Sequence, residues 1–297
     1  MIRSRIAPTP SGYLHMGNAL NFIIIWLAVR KQKGSLRLRI DDIDNTRTRT
    51  EYLDDIFDTL HWLGLDWDEG PVNTTDHLQN YSQANRTARY QQVIDQLIAT
   101  GNVFACSCSR KTLELEPCTC YHKQLPLNQP DTALKLYTPD NLVIQVPDTQ
   151  GGTIPVNLYE RIPDFVIRRR EGIIAYQVAS LADDTDYSIN LIVRGKDLLE
   201  STAAQLYMAQ LTGNTTFGQT VFYHHPLITG PDGSKLSKSA GSTSLKAWRE
   251  SGKSSTDFYQ LLGRQLLLPE PCHSAQNLLT ITTNTTAFSL LPNPDTI

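Results

Sequence analysis

Two distant stretches of this sequence carry residues suited to phosphate chemistry. The first, PTPSGYLHMGNA at residues 8–19, places His15, Gly17 and Asn18 around the start of an apolar helix. Glycine lets a ligand approach the backbone, and a helix N-terminus offers N–H groups to an anion. The plainer interpretation of this stretch alone is a strand-to-helix turn punctuated by Pro and Gly, with His15 at the surface.

The second stretch, PDGSKLSKSAGS at residues 231–242, sets Lys235 and Lys238 three positions apart among Ser and Gly. An isolated stretch of this kind is typical of a solvated surface loop. An early His-x-Gly-Asn turn and a late Lys-x-Ser-Lys-Ser loop are a combination that chance rarely assembles. We therefore expect the two stretches to serve one site.

A third group of residues has the spacing of metal ligands. Cys106 and Cys108 form one C-x-C pair, and Cys118 and Cys120 form another after nine intervening residues. Four soft thiolates at this density suit a tetrahedral structural zinc ion, and reduced buried thiols are the alternative. The fifth cysteine, Cys272, stands alone and is expected to be structural.

Composition limits the class of protein. The 297 residues include 40% hydrophobic and 19% charged residues and carry a net charge of −3, as in an ordinary globular chain with room for two domains. Bulk attraction to RNA or anionic lipid is therefore not expected, and any RNA contact must use a local basic patch. The longest apolar run, 19–29, is too short to cross a bilayer, and no signal peptide is visible, so we expect a cytoplasmic protein without membrane contact.

The elements around the first stretch alternate between strand and helix. A strand over 1–6, a helix over 17–32 and a strand over 35–44 are expected, the last with Asp41 at its carboxyl end. Thr48 and Glu51 have the spacing of a capping box before the next helix. This order predicts an α/β fold with a parallel, doubly wound sheet.

The alternation breaks in the Cys region and resumes with the strand LIVRG at 191–195. The predicted organisation is therefore a sheet domain, an insertion, and a lysine loop followed by a mostly helical C-terminal region. The boundaries we expect are 1–72 with 176–230 for the sheet domain, 73–175 for the insertion, and 231–297 for the C-terminal region.

The first two stretches resemble the HIGH and KMSKS signatures of class I aminoacyl-tRNA synthetases. RIAPTPSGYLHMGNA, RIDDID and WLGLDWDEGP are similar to the glutamyl branch, and the resemblance runs from residue 3 to about 245. Within that branch the chain is most similar to the glutamyl-Q-tRNA(Asp) synthetase family, which lacks the anticodon-binding half. The short chain beyond SKS, the segment AYQVASLADD and the Cys pairs carry this similarity.

The resemblance implies a Rossmann-like catalytic domain with an inserted, zinc-bearing acceptor-type domain. It also implies ATP-dependent activation of glutamate and transfer of the glutamyl group to the queuosine base of tRNA(Asp), by a monomer. A shortened glutamyl-tRNA synthetase that charges an acceptor end is the first alternative. A non-catalytic paralogue that binds RNA or an amino acid is the second.

The resemblance also assigns site residues. ATP, with Mg²⁺, would contact His15, Gly17, Asn18, Lys235, Ser237 and Lys238, of which His15 and the two lysines would be catalytic. Glutamate would contact Arg5 and Arg194 through carboxylate, Asp41 through its ammonium group, and also Thr9 and Tyr176. The family carries Glu in the segment that here holds Asp41.

The family's cysteine pattern differs in one respect. It has a C-x-C pair, then a Tyr, then one Cys three residues later, whereas here no Tyr precedes the last pair. The fourth zinc ligand is therefore open between Cys118, Cys120, Tyr121 and His122.

Overall fold

Strands β1 (Arg3–Ile6) and β2 (Ser35–Leu38) pair in parallel near the start of the chain. The computed structural model describes residues 1–149, 152–226 and 244–284. Helix α1 (Met16–Lys31) connects the two strands and is buried around its circumference, as expected of a helix that is apolar on all faces. The predicted strand–helix–strand order is confirmed.

A second parallel pair lies beside the first. Strands β8 (Leu191–Gly195) and β9 (Val221–His225) are joined by helix α9 (Leu199–Leu211). The start of β8 lies beside the start of β1, because the Asn190 N–H donates to the Arg3 carbonyl at 3.0 Å. The α/β class of the fold is therefore confirmed.

The region between the two pairs has a different architecture. Strands β3 (Val103–Cys106), β4 (Ala133–Leu136) and β7 (Val166–Arg168) form an antiparallel sheet. Strands β5 (Val143–Asp148) and β6 (Gly152–Asn157) form an antiparallel hairpin. The change from parallel to antiparallel pairing agrees with an insertion in the chain.

The remaining elements are helices. They are α2 (Thr50–Leu63), α3 (Thr74–Asp76) with a π-helical turn (His77–Tyr81) and a 3₁₀ turn (Gln83–Arg86), α4 (Thr87–Ala99), α5 (Arg110–Leu115), α6 (Cys120–Lys123), α7 (Leu158–Arg161), α8 (Tyr176–Asp186), a 3₁₀ turn (Lys196–Leu198), α10 (Thr215–Gly218), α11 (Leu245–Glu250), α12 (Ser255–Gln265) and α13 (Ala275–Asn284).

Two boundaries differ from the prediction. The capping box at Thr48 and Glu51 is wrong, because α2 begins at Thr50 and its N-cap residue, Arg49, makes no side-chain cap bond. Strand β2 ends at Leu38, so Asp41 lies in the loop beyond the strand.

The C-terminal helices pack against α1 and α2. The Tyr259 hydroxyl donates to the Leu63 carbonyl at 2.7 Å, and the Lys31 Nζ donates to the Thr282 carbonyl at 3.1 Å. Cys272 is buried in the same core, which supports a structural role. Among the described helices, none has the length and apolar character needed to span a membrane.

Candidate active site

His15 is the N-cap residue of α1, and it is bonded to the helix that it begins. Its Nδ1 accepts from the N–H groups of Gly17 at 3.1 Å and Asn18 at 3.4 Å. The Asn18 Oδ1 accepts in return from the His15 N–H at 3.0 Å. Burial lowers the pKa of His15, which favours the neutral ring. Since Nδ1 accepts, the ring proton lies on Nε2, and that N–H is the donor left for a ligand.

This arrangement changes the expected role of the helix N-terminus. The N–H groups of Gly17 and Asn18 are bonded to the imidazole, so these two donors are already used within the turn. A Cβ added to Gly17 would lie 3.0 Å from the His15 Cε1. Gly17 therefore leaves room for the His15 ring, and its contact with a nucleotide stays a prediction.

The predicted residues Lys235, Ser237 and Lys238 lie outside the described residues. The described residues on either side of that segment are both held at the start of α1. On one side His225 bonds through Nε2 to the Asn21 Oδ1 at 2.9 Å. On the other side the Leu245 N–H donates to the Leu14 carbonyl at 2.8 Å, directly beside His15.

A buried network of ion pairs lies where β1 and β2 end. The Arg39 guanidinium donates to Asp41 at 2.6 Å and to Asp184 at 2.7 Å. Arg5 donates to the same Asp184 oxygen at 2.9 Å. Burial alone would raise the pKa of Asp184, but Arg39 and Arg5 outweigh it and hold that pKa below its ordinary value. The network thus joins Arg5 and Asp41, both predicted to contact glutamate.

Arg194 is buried in β8 with much of its hydrogen-bonding capacity unused. Its Nη2 donates to the Gln205 Oε1 at 2.9 Å, while its Nε and Nη1 have no partner among the described residues. Burial lowers the pKa of Arg194 to about 10, and the proximity of the Tyr176 hydroxyl counters this in part. A buried guanidinium with two unpartnered nitrogens is a site for an anion.

The buried carboxyl of Asp41 is a place where an added positive charge would be favourable. Burial raises the pKa of this carboxyl above its ordinary value even though Arg39 is bonded to it. A further cation beside Asp41 would therefore be stabilised. The Asp41 N–H donates to the Pro8 carbonyl at 2.8 Å, so the exposed Thr9 follows immediately beside it.

Sequence reasoning missed the residues that hold this region together. Asp42 accepts from the Ser82 hydroxyl at 2.7 Å and the Gln83 N–H at 2.8 Å, and bonds to the His77 Nε2 at 2.9 Å. The Gln83 side chain donates to Asp183 at 2.9 Å. A signal existed, since Ser82 and Gln83 stand at the start of a helical segment, but their partner lies 40 and 41 positions away in the chain.

The four predicted metal ligands come together in space. The Sγ atoms of Cys106, Cys108, Cys118 and Cys120 all lie within 4.8 Å of one another. The closest pairs are 3.4 Å for Cys108 with Cys120 and 3.6 Å for Cys106 with Cys118. Tetrahedral zinc with bonds of about 2.3 Å requires sulfurs about 3.8 Å apart, so this donor set fits the ion.

The neighbours of the thiols favour this set of four. The Tyr121 ring stacks on the Tyr137 ring with centroids 3.9 Å apart, and His122 is exposed. Arg170 donates to the Ser107 carbonyl at 2.6 Å and also to the Cys108 carbonyl. The first C-x-C loop is therefore fixed by a side chain from beyond β7.

This fold and this site define the catalytic domain of a class I tRNA synthetase. The family described as tRNA synthetases class I (E and Q), catalytic domain, matches residues 1–124 and 122–292. The chain belongs to this family, and its similarity to the glutamyl-Q tRNA(Asp) synthetases is confirmed by several relatives.

The glutamyl-Q tRNA(Asp) synthetase of Pseudomonas putida is 38% identical over 247 residues, which cover 82% of this chain and 79% of the relative. The glutamyl-Q tRNA(Asp) synthetase of Nitratidesulfovibrio vulgaris is 36% identical over 273 residues, which cover 85% of this chain and 82% of the relative. The glutamate–tRNA ligase of an Anaeromyxobacter species is 36% identical over 84% of this chain, yet the chain spans only 55% of its length.

Solved structures show the same fold. A glutamate tRNA ligase from Elizabethkingia meningosepticum, in complex with its amino acid, superposes with a TM-score of 0.76 at 21% identity. The superposition covers 98% of this chain and 66% of that one.

Proposed function

We propose that this chain activates glutamate with ATP and transfers the glutamyl group to the queuosine base of tRNA(Asp). The observation that carries the proposal is the buried guanidinium of Arg194, two of whose nitrogens, Nε and Nη1, have no partner among the described residues. Burial raises the pKa of the Asp41 carboxyl although Arg39 is bonded to it, and Arg39 is joined to Arg5 through Asp184. Glutamate, a zwitterion with a second carboxylate, would supply an anion for Arg194 and an ammonium group for Asp41.

In this proposal the two ends of glutamate bind to opposite charges. Arg194 receives the side-chain carboxylate through its free Nε and Nη1, since a guanidinium matches a carboxylate with two parallel bonds. Asp41 receives the α-ammonium group. Arg5, Thr9 and Tyr176 complete the surroundings of the amino acid.

The chemistry then requires stabilisation of phosphate charge. The glutamate α-carboxylate attacks the α-phosphorus of ATP, and pyrophosphate leaves with its electron pair. The His15 Nε2–H, together with Lys235 and Lys238, would stabilise the negative charge that develops on the phosphate oxygens, with Gly17, Asn18 and Ser237 close to the nucleotide. Mg²⁺ would accompany the nucleotide and neutralise its phosphates.

Transfer to RNA completes the reaction. A hydroxyl of the acceptor attacks the activated carbonyl carbon, its proton is lost, and AMP leaves. The choice of queuosine as acceptor is supported by the glutamyl-Q tRNA(Asp) synthetases, of which this chain covers 79% and 82%. Charging of an acceptor end is the second candidate, since a glutamate–tRNA ligase is 36% identical to this chain. The chain covers only 55% of that relative's length.

The four cysteines would hold a structural zinc ion in the inserted region, and we propose that the protein acts as a monomer. Zinc would supply no step of the reaction. Light scattering of the purified chain at assay concentration tests the monomer.

The experiment that tests the function has two stages. Glutamate-dependent exchange of labelled pyrophosphate into ATP is measured first, with aspartate and glutamine as controls. Labelled glutamate is then offered with tRNA(Asp) that carries queuosine and with the same tRNA lacking it. We expect labelling only with queuosine. Labelling that ignores the base favours the second candidate, and absence of exchange excludes catalysis and favours a binding paralogue.

A further inference from the structure

Asp55 lies buried in α2, a helix whose other acidic residues face outward. Its side chain is 1% exposed, whereas Asp54 and Asp58 on the same helix are exposed. A buried carboxylate is costly unless its oxygens are bonded. The hydrogen-bond partners of Asp55 therefore indicate its role.

The two oxygens of Asp55 bond to two separate parts of the chain. Its Oδ2 accepts from the Leu14 N–H at 3.1 Å. Its Oδ1 accepts from the Arg249 Nη2 at 2.6 Å, and the Arg249 Nη1 donates to the Thr59 hydroxyl at 2.6 Å. The carboxylate thus links α2 to α11 and to the residue immediately before His15.

Leu14 is held from both sides as a result. Its N–H bonds to Asp55, and its carbonyl accepts from the Leu245 N–H at 2.8 Å. Both backbone groups are buried and satisfied, so the position at which the chain enters the His15 turn is fixed by α2 and α11 together. A shift of either helix would move the imidazole.

We infer that Asp55 is a positioning residue for nucleotide binding, acting through Leu14 on His15. The inference rests on the proposed function for the identity of the ligand. Asp55 touches no ligand itself. An ordinary structural ion pair would stabilise the fold without affecting one ligand more than the other, and this difference can be measured.

The test compares Asp55→Asn with Asp58→Asn in the full chain. Asparagine keeps one acceptor oxygen and turns an NH₂ group toward the other donor, so one of the two bonds is lost. Calorimetric titration with ATP alone should show a Kd raised about tenfold in Asp55→Asn, the usual size for a lost hydrogen bond to a charged group. The Kd for glutamate alone should stay within about twofold, since the described bonds of Leu14 go to Asp55 and Leu245 and not to the residues proposed to bind glutamate.

A second variant guards against a chain that does not fold. Arg249→Gln keeps the Asp55–Leu14 bond but removes the group that orients the carboxylate, and should raise the Kd for ATP about threefold. The double variant should bind ATP no more weakly than Asp55→Asn alone, because both act on one bond.

Three outcomes overturn the inference: an unchanged Kd for ATP in both variants, equal rises for ATP and glutamate, or the same effect in Asp58→Asn. Failure of the proposed function is seen separately, as absence of glutamate-dependent pyrophosphate exchange in the unmodified chain.

Discussion

At the scale of single residues, the His15 turn is ordered by bonds within itself. The imidazole caps α1, Asn18 bonds back to the His15 N–H, and Gly17 leaves the space that the ring occupies. The sequence showed these three residue types in a row, but their side chains suggested separate contacts with a nucleotide. Only the fold shows that Gly17 and Asn18 contact His15 itself.

The first prediction concerns Gly17→Ala. The backbone of Gly17 is not in the left-handed region, so alanine fits the helix and should leave the melting temperature unchanged or higher, given a helix propensity gain of up to about 1 kcal/mol. Its Cβ would displace the His15 ring and lower the rate of pyrophosphate exchange about tenfold or more. Gly12→Ala is the control, because nothing lies within 4 Å of a Cβ there. Equal activity in the two variants would show that the ring position is unimportant.

The second prediction concerns Arg194→Lys. Lysine keeps the charge but not the two parallel N–H groups, and it removes the donor that bonds to the buried Gln205 Oε1. We expect KM for glutamate to rise about a hundredfold, since a charged, two-pronged bond is lost, with KM for ATP unchanged. Steady-state exchange kinetics measure both constants, and the exposed Arg161→Lys serves for comparison. A rise confined to KM for ATP would place glutamate elsewhere.

At the scale of elements, periodicity predicted the helices and strands well and their ends poorly. Helix α1 was predictable because an uninterrupted apolar run has no other stable place than the core. The start of α2 was not, because the Thr48–Glu51 spacing is a local pattern that the fold does not use. Asp55 and Gln205 were missed for a related reason: a polar residue in a helix is usually exposed, and their partners at positions 14 and 194 come close only after folding.

The third prediction concerns the C-x-C loop that Arg170 holds. Removing this side chain frees the Ser107 and Cys108 carbonyls and should weaken zinc binding about tenfold, as loss of a supporting contact around a metal site does. Competition with a chromophoric chelator measures the affinity of Arg170→Ala. Arg169→Ala is the matched control, because Arg169 pairs with Asp44 at 2.6 Å and not with the loop. Elemental analysis that finds no zinc in the unmodified chain would contradict the metal site itself.

At the scale of the whole molecule, the predicted site lies where the chain repeatedly leaves the parallel strands. Arg5 belongs to β1, Arg194 to β8, and Asp41 follows β2, in keeping with the rule that open α/β sheets bind ligands at the carboxyl ends of their strands. The predicted inserted region is attached to the rest of the chain at two points. At the first point, Asp42 accepts from the Gln83 N–H at 2.8 Å. At the second, the Thr149 N–H, just after β5, donates to the Phe222 carbonyl in β9 at 3.0 Å.

The last prediction follows from that second attachment. His224 in β9 bonds through Nδ1 to Asp148 at 2.9 Å and through Nε2 to the Thr202 hydroxyl at 2.7 Å. Burial lowers the pKa of His224, and the Asp148 bond offsets this only in part; burial likewise lowers the pKa of His225. Both rings are therefore neutral in the folded chain at a pH where the unfolded chain already binds protons.

Because the unfolded state takes up more protons, stability is intact above the ordinary histidine pKa of 6.5 and is lost as the pH falls below it toward the lowered folded values. The melting temperature should thus fall when the pH is lowered from about 7.5 to about 5.5, the range in which unperturbed histidines titrate. His224→Gln should reduce that slope, while the exposed His273→Gln should not. If the two variants have the same slope, the junction between the hairpin and the sheet is not the source of the pH dependence.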